Sequence, residues 1–232
     1  MNRISNYKSD FFKEIDSELK AYILGYIVAD GCITIEDRKD RPYKIKRVQF
    51  QPTIDDLFTI LIIRNAICPL NKITLVKSKS DNRKDTIKLR IANREIVDDL
   101  INLYNIFPRK TFNSKFQFPN IKKEFKRHFI RGFMDGDGSI GKRHFSMVCN
   151  SKIFAEQIKN EFLDYDPTLR FHIYTENRKK TVYYSLHFNV NIKSRVSLHN
   201  YLYKDADYFL KRKYDKSLNA VLNSKSKELL SV

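Results

Sequence analysis

Apolar positions along this chain recur first at helical and then at strand spacing, and the whole order comes round twice. In the first pass Leu19, Tyr22, Ile23, Tyr26 and Ile27 fall at i, i+3, i+4, i+7 and i+8, the buried stripe of a helix over residues 19–30. Strands follow at 32–36 and 45–51 around a charged turn at 37–42. Asp55 and Asp56 open an apolar helix at 57–67, a hairpin pairs 73–77 with 86–91, and a helix at 94–104 closes the half. The second pass has a helix at 125–137, strands at 139–143 and 145–149, and a helix at 153–163. A hairpin of 170–175 with 181–190, a helix through 196–203 and a helical tail at 206–222 complete it. The pattern predicts an α+β fold of tandem αββαββα halves: residues 1–107, a linker at 108–123 carrying Pro108 and Pro119, and residues 124–232.

The strands alternate cleanly, so each antiparallel sheet is expected to bury one face against helices and wet the other. Val182, Tyr184, Leu186, Phe188 and Val190 are assigned to the core, and Thr181, Tyr183, Ser185, His187, Asn189 and Asn191 to the outer face. In the first half Val48, Phe50, Ile87, Leu89 and Ile91 point inward. The outer faces then gather Arg47, Gln49, Gln51, Lys88 and Arg90 in one half, and Arg170, His172, Tyr183, Ser185, His187 and Asn189 in the other. Those side chains suit phosphate contacts and base-edge reading in a major groove, which admits a β-ribbon. A strand of about ten residues at ~3.3 Å each spans roughly one turn of DNA, so two halves cover on the order of 20 base pairs.

Both halves open on a related string, ILGYIVADG at 23–31 and IRGFMDGDG at 130–138. Ala21, Gly25 and Ala29 form a stripe of small residues at spacing four, echoed by Gly132 and Gly136. Glycine inside a helix costs about 1 kcal/mol relative to alanine, so it needs a packing reason. The reason read here is that the two helices pack on each other at these stripes about a pseudo-twofold axis. Gly31 and Gly138 then take the left-handed position of a C-terminal cap. Such packing sets Asp30 and Asp137 side by side at two helix C-termini. There each opposes the helix dipole, and two carboxylates ~4 Å apart repel by roughly 4 kcal/mol at an effective dielectric of ~20. Divalent cations reverse both penalties, and hard oxygen ligands beside an anionic substrate favour Mg²⁺. The string DGDGSIG is not an EF-hand loop, because Ile140 and Ser146 stand where that loop needs glycine and glutamate.

Charge sharpens the picture of the partner. With 44 Lys and Arg against 27 Asp and Glu, the net charge is +17, which predicts a polyanionic partner, most often nucleic acid. No apolar run approaches the ~20 residues of a membrane span, and residues 1–18 lack the apolar core of a signal peptide. Cys32, Cys68 and Cys149 are scattered and odd in number, which fits buried thiols in a reducing compartment. The expectation is an intracellular, nucleoid-associated protein with no membrane and no required protein partner.

At its doubled motif the chain resembles the LAGLIDADG homing endonucleases. IRGFMDGDGSI has the family's glycine, both aspartates and following glycine, whereas ILGYIVADGCI has Val28 in place of the earlier acid. The segments FPNIKKEFKRHFIRG and LYKDADYFLKRKYDK look like the approach and tail segments of phage and bacterial members. The resemblance implies a single-chain monomer whose two sheets form a saddle over DNA. It also implies Mg²⁺-dependent cleavage of both strands across the minor groove, leaving 3′ overhangs at a long asymmetric site. Two or three Mg²⁺ ions at the inter-helix centre would be held by Asp30, Asp137 and the carbonyls of Ala29 and Gly136. A basic residue at the end of each hairpin would assist. Counting nine back from Leu103 and Leu202 gives Arg94 and Lys193, with Lys88, Arg90 and Arg195 as competitors. Two relatives on the same scaffold stay open as alternatives: an RNA maturase that assists intron splicing, and a DNA-binding regulator that does not cut.

Overall fold

Each pass of the repeat folds into a four-stranded antiparallel sheet, and the strand order is the same in both. The computed structural model describes residues 7–40, 42–109, 113–141, 144–178 and 181–229, with side chains described through residue 223. Arg41 of the first predicted turn, residues 110–112 of the linker, Lys142 and Arg143 of the predicted strand 139–143, and Lys179 and Lys180 of the second turn lie outside the described residues. The chain divides into two compact units, Met1–Asp16 with Asp30–Lys110, and Ser17–Ala29 with Thr111–Val232.

In the first unit the strands are β1 (Cys32–Glu36), β2 (Ile45–Phe50), β3 (Thr74–Val76) and β4 (Thr86–Ile91), ordered β1-β2-β4-β3. Val48, Phe50, Ile87, Leu89 and Ile91 share the inner face as the alternation predicts, and all are buried. Helix α2 (Leu57–Ile67) adds Ile60, Ile63 and Ile67 to this core, and α3 (Arg94–Asn102) adds Ile96, Val97 and Leu100. Asp55 and Asp56, expected to open α2, form a 3-10 turn ahead of it. Asn93 caps α3, its Oδ1 accepting from the Ile96 N–H at 2.9 Å. The helix stops two residues short of the predicted Tyr104. Asn105 takes a left-handed φ of 56°, and its N–H reaches back to the Ile101 carbonyl, an αL closure, while the Ile106 N–H reaches that of Leu100.

The second unit contains α1 (Glu18–Asp30) up to Ala29, then α4 (Lys123–Asp137), β5 (Gly138–Ile140), β6 (Phe145–Cys149) and α5 (Lys152–Tyr165). It continues through β7 (Phe171–Arg178), β8 (Thr181–Phe188), α6 (Ile192–Tyr203) and α7 (Lys211–Leu229). Strand order is β5-β6-β8-β7. The core is aromatic: Phe129, Phe133, Phe154, Phe162 and Phe188 meet mostly edge to face, with centroids near 5 Å. Ser151 caps α5 while its hydroxyl donates to the Phe116 carbonyl at 2.6 Å, pinning the linker to the helix it precedes. Asn191 and Ser194 cap α6 reciprocally.

Several sequence expectations change here. Helix α1 is buried continuously from Ala21 to Ala29, not along one stripe. Neither Gly31 nor Gly138 is left-handed. No described glycine has positive φ, and Gly138 is extended at φ −77°, ψ 154°. The chain passes straight from α4 into β5, and Gly138 is small because a Cβ there would meet the Met134 Sδ at 2.2 Å and its carbonyl oxygen at 2.4 Å. Val182 was assigned to the core but is 40% exposed near the tip of the long β7–β8 hairpin. Cys32 is exposed, not buried, since it begins β1 on the outer face, while Cys68 is buried and Cys149 half-buried. The tail helix starts at Lys211 and not at Ala206, after a left-handed Asp205.

Candidate active site

Helices α1 and α4 cross through their glycines. A Cβ on Gly25 would lie 2.0 Å from the Phe129 carbonyl oxygen, and one on Gly132 would lie 2.0 Å from that of Tyr22. Phe129 and Tyr22 each stand three residues before the opposite glycine, so the contact is reciprocal about a local twofold. Five residues beyond each glycine the helix ends, α1 at Asp30 and α4 at Asp137, and both aspartates are exposed. Ala29 is buried and Gly136 half-buried.

The earlier acid of the second motif has a different environment. Asp135 is fully buried and accepts from the Tyr22 hydroxyl at 3.0 Å, the Tyr203 hydroxyl at 3.0 Å and the Leu210 N–H at 2.6 Å. Burial pushes its carboxyl up to about 6, against the opposing pull of these donors and of Lys213. Asp135 therefore ties α1, α6 and the start of the tail to α4, and Val28 in the first motif has no such task. One turn back, the buried Arg131 guanidinium donates to the Leu202 and Tyr208 carbonyls and to Glu18. Burial and the neighbouring Arg131 and Arg127 push His128 down to about 3, leaving its Nδ1 an acceptor for Arg131 at 2.9 Å. Asp135→Asn is expected to destabilise the fold by about 2–4 kcal/mol, because an amide N–H₂ then faces one of three donors. Denaturant melts measure the loss, and hydrogen exchange across Lys211–Leu229 should rise.

Lys213 is the residue that sequence reading missed. It is 4% exposed, and its Nζ donates to the Met134 carbonyl at 2.8 Å and to the Gly136 carbonyl at 2.9 Å. The Met134 carbonyl also accepts the Gly138 N–H, so the ammonium is a second donor there and a donor to the Gly136 carbonyl in the last turn of α4. A signal was present: Lys213 lies with the buried Ser217, Ala220 and Val221 on an i, i+4, i+7, i+8 stripe. A lysine on that stripe must find an internal partner.

On the outer face of the first sheet, Cys32, Gln49 and Arg90 sit in register across β1, β2 and β4, two residues beyond Asp30. The Arg90 Nε donates to the Gln49 Oε1 at 3.1 Å, Arg47 pairs with Glu36 at 2.8 Å, and the Gln51 Nε2 donates to Thr86 at 3.2 Å. Lys88 is half-buried, in register with Thr74. The matching row of the second sheet is Ser139, Ser146, His187 and His172. His187 and His172 are exposed around Tyr174, and Tyr183 lies under the Arg178 guanidinium at 4.3 Å. Ser185 is buried on that side, its hydroxyl given to Glu176 at 2.6 Å. Arg170 is exposed but donates to the Pro167 and Leu169 carbonyls, and Asn189 is exposed beside it. Arg94 begins α3 and leans toward Asp98 at 3.4 Å, where Lys46 also binds. Lys193 lines a cleft between the end of α5 and α6 with Tyr165, Asp166 and Ser197. No described helix is long and apolar enough to cross a membrane.

A family profile described as a LAGLIDADG-like domain matches residues 124–204. No curated protein matches the chain. Among solved structures, a mesophilic variant of the homing endonuclease I-DmoI aligns with a TM-score of 0.57 at 18% identity, covering 80% of this chain and 88% of that one. I-DmoI in complex with DNA and Mn gives 0.55 at 18% identity, covering 81% and 97%. The meganuclease I-SmaMI bound to uncleaveable DNA gives 0.53 at 14% identity, covering 90% and 92%. Residues 124–204 are a LAGLIDADG-like domain, carried in a chain with the two-sheet α+β fold of the LAGLIDADG homing endonucleases.

Proposed function

We propose that this chain is a site-specific DNA endonuclease that hydrolyses both strands across the minor groove, leaving 3′ overhangs at an asymmetric site. One observation carries the reading: two helices locked glycine to backbone each end in an exposed aspartate, Asp30 and Asp137. Both acids belong to one chain, so a monomer suffices. I-DmoI has been seen with DNA and Mn, and I-SmaMI with DNA, which agrees with the +17 charge here.

The donors suit a hard divalent cation. Among the described residues no group of three or more His, Cys, Asp or Glu stands ready to hold a metal. Two carboxylates and neighbouring carbonyls leave coordination positions for water and phosphate oxygens, which fits Mg²⁺. When bound, the ion supplies an activated water and neutralises developing charge on phosphate. Asp30 and Asp137 would hold it, with the Ala29 and Gly136 carbonyls beside them. Arg90, in the row two residues past Asp30, is better placed for a phosphate than Arg94, which leans toward Asp98. His187 takes the corresponding place in the second row. Arg47, Gln49, Gln51 and Lys88, with His172, Tyr183 and Asn189, then supply the remaining DNA contacts.

Each phosphate neutralised adds about 0.9 to the slope of log K against log salt. A slope steeper than about −5 is expected in a filter-binding or fluorescence titration of a long duplex. A nearly flat titration contradicts the proposed DNA interface.

A further inference from the structure

The tail helix brings a positive charge to the turn that the proposed function gives to a metal. Lys213 lies just under one turn past the point where Leu210 is tied to Asp135, and its own N–H returns to the Leu210 carbonyl at 2.9 Å. Its side chain is thus fixed at both ends, by the start of α7 and by two carbonyls of the α4 terminus. A buried ammonium is costly unless paired. Here the negative end of the α4 dipole, two carbonyl oxygens and the buried Asp135 carboxylate offset that cost together. One of those oxygens belongs to Gly136, the residue before Asp137.

We propose that Lys213 acts as a built-in cation on the Gly136 carbonyl, so that a divalent ion at Asp137 is bound in competition with a fixed ammonium. This rests on the endonuclease reading above. A carbonyl oxygen has two lone pairs, so the ammonium does not block a metal sterically, but like charges sharing one oxygen repel strongly in a partly dry site. Lys213 also keeps the α4 terminus ordered without a metal, leaving the turn preformed for DNA. It is a positioning residue: it weakens the ion while holding the group that binds it.

The test uses the full chain on an uncleavable duplex, with Mn²⁺ binding read by electron paramagnetic resonance. Lys213→Gln keeps a donor and removes the charge, and Lys213→Arg keeps the charge. The glutamine variant should bind Mn²⁺ on the order of tenfold more tightly than wild type, and the arginine variant about as wild type does. In the wild-type complex the ¹⁵N signal of the Lys213 ammonium should stay slow to exchange when Mg²⁺ is added. Equal or weaker Mn²⁺ binding by Lys213→Gln overturns the proposal. So does an ammonium signal that becomes fast-exchanging with Mg²⁺, a readout that needs no variant to fold. Failure to form any DNA complex sinks the endonuclease reading instead, and this proposal falls with it.

Discussion

Asp137→Asn is expected to cut cleavage of both-strand substrate on the order of 10³-fold or more while leaving DNA affinity equal or higher. The substitution keeps size and nearly keeps shape, but it removes one negative charge from the proposed metal site. Each tenfold in rate is 1.36 kcal/mol of barrier, so a 10³-fold loss asks for about 4 kcal/mol, within reach of one lost anionic ligand at a charged transition state. Affinity should survive because the proposed DNA contacts lie on the outer sheet faces, and a lost anion beside phosphate relieves repulsion. Asp30→Asn should behave alike. Single-turnover cleavage with Mg²⁺, beside binding to an uncleaved duplex, separates the two effects. An RNA maturase or a non-cutting regulator predicts no DNA cleavage by the wild type and little change on substitution. Wild-type rates in Asp137→Asn would remove this residue from the centre.

The neighbouring acid is the control. Asp135 and Asp137 are two residues apart in one motif, yet Asp135 is fully buried under three donors and Asp137 is exposed. Asp135→Asn should lower stability and leave the chemistry of the surviving folded fraction close to normal, the reverse of the Asp137 result.

Much of this was legible in the sequence because it is written in short-range pattern. Alternation placed Val48, Leu89 and Leu186 in the core, and the doubled motif placed two helices ending in aspartate. The small residues at Gly25 and Gly132 foretold a close crossing, since helix interiors avoid glycine without a packing reason. What was not legible depends on long-range partners. A glycine after a helix reads as a left-handed cap, but Gly138 is extended because it opens β5 in register with Met147, and the Lys213 ammonium, more than seventy residues on, reaches the Met134 and Gly136 carbonyls. Ser185 alternates outward as predicted and is buried all the same, because Glu176 on the next strand covers it. The cations of the hairpin ends were counted from Leu103 and Leu202, yet α3 ends at Asn102, ahead of an αL closure, while α6 runs to Tyr203. Equal counting thus reaches unequal places: Arg94 begins its helix, whereas Lys193 is the second residue of α6, facing the α5–α6 cleft.

Gly25→Ala is expected to cost about 3 kcal/mol or more, although alanine is the better helix former by about 1 kcal/mol. The added carbon would stand 2.0 Å from the Phe129 carbonyl oxygen and 2.9 Å from the Phe133 nitrogen, both backbone atoms inside a packed helix. Neither can swing aside as a side-chain tip does, so α1 and α4 must separate. Their separation strains the buried hydrogen bond from Tyr22 to Asp135 and the Arg131–Glu18 pair, which join the same two helices. Gly132→Ala presses on the Tyr22 carbonyl at the same crossing and should cost a similar amount. The double variant should be less damaging than the two costs added, because once the first methyl has parted the helices the second meets relaxed neighbours. Denaturant unfolding of the two single variants and the double one measures this coupling directly. Two additive, small losses would mean that the helices do not meet at their glycines, and the aspartates that end them would lose their common frame.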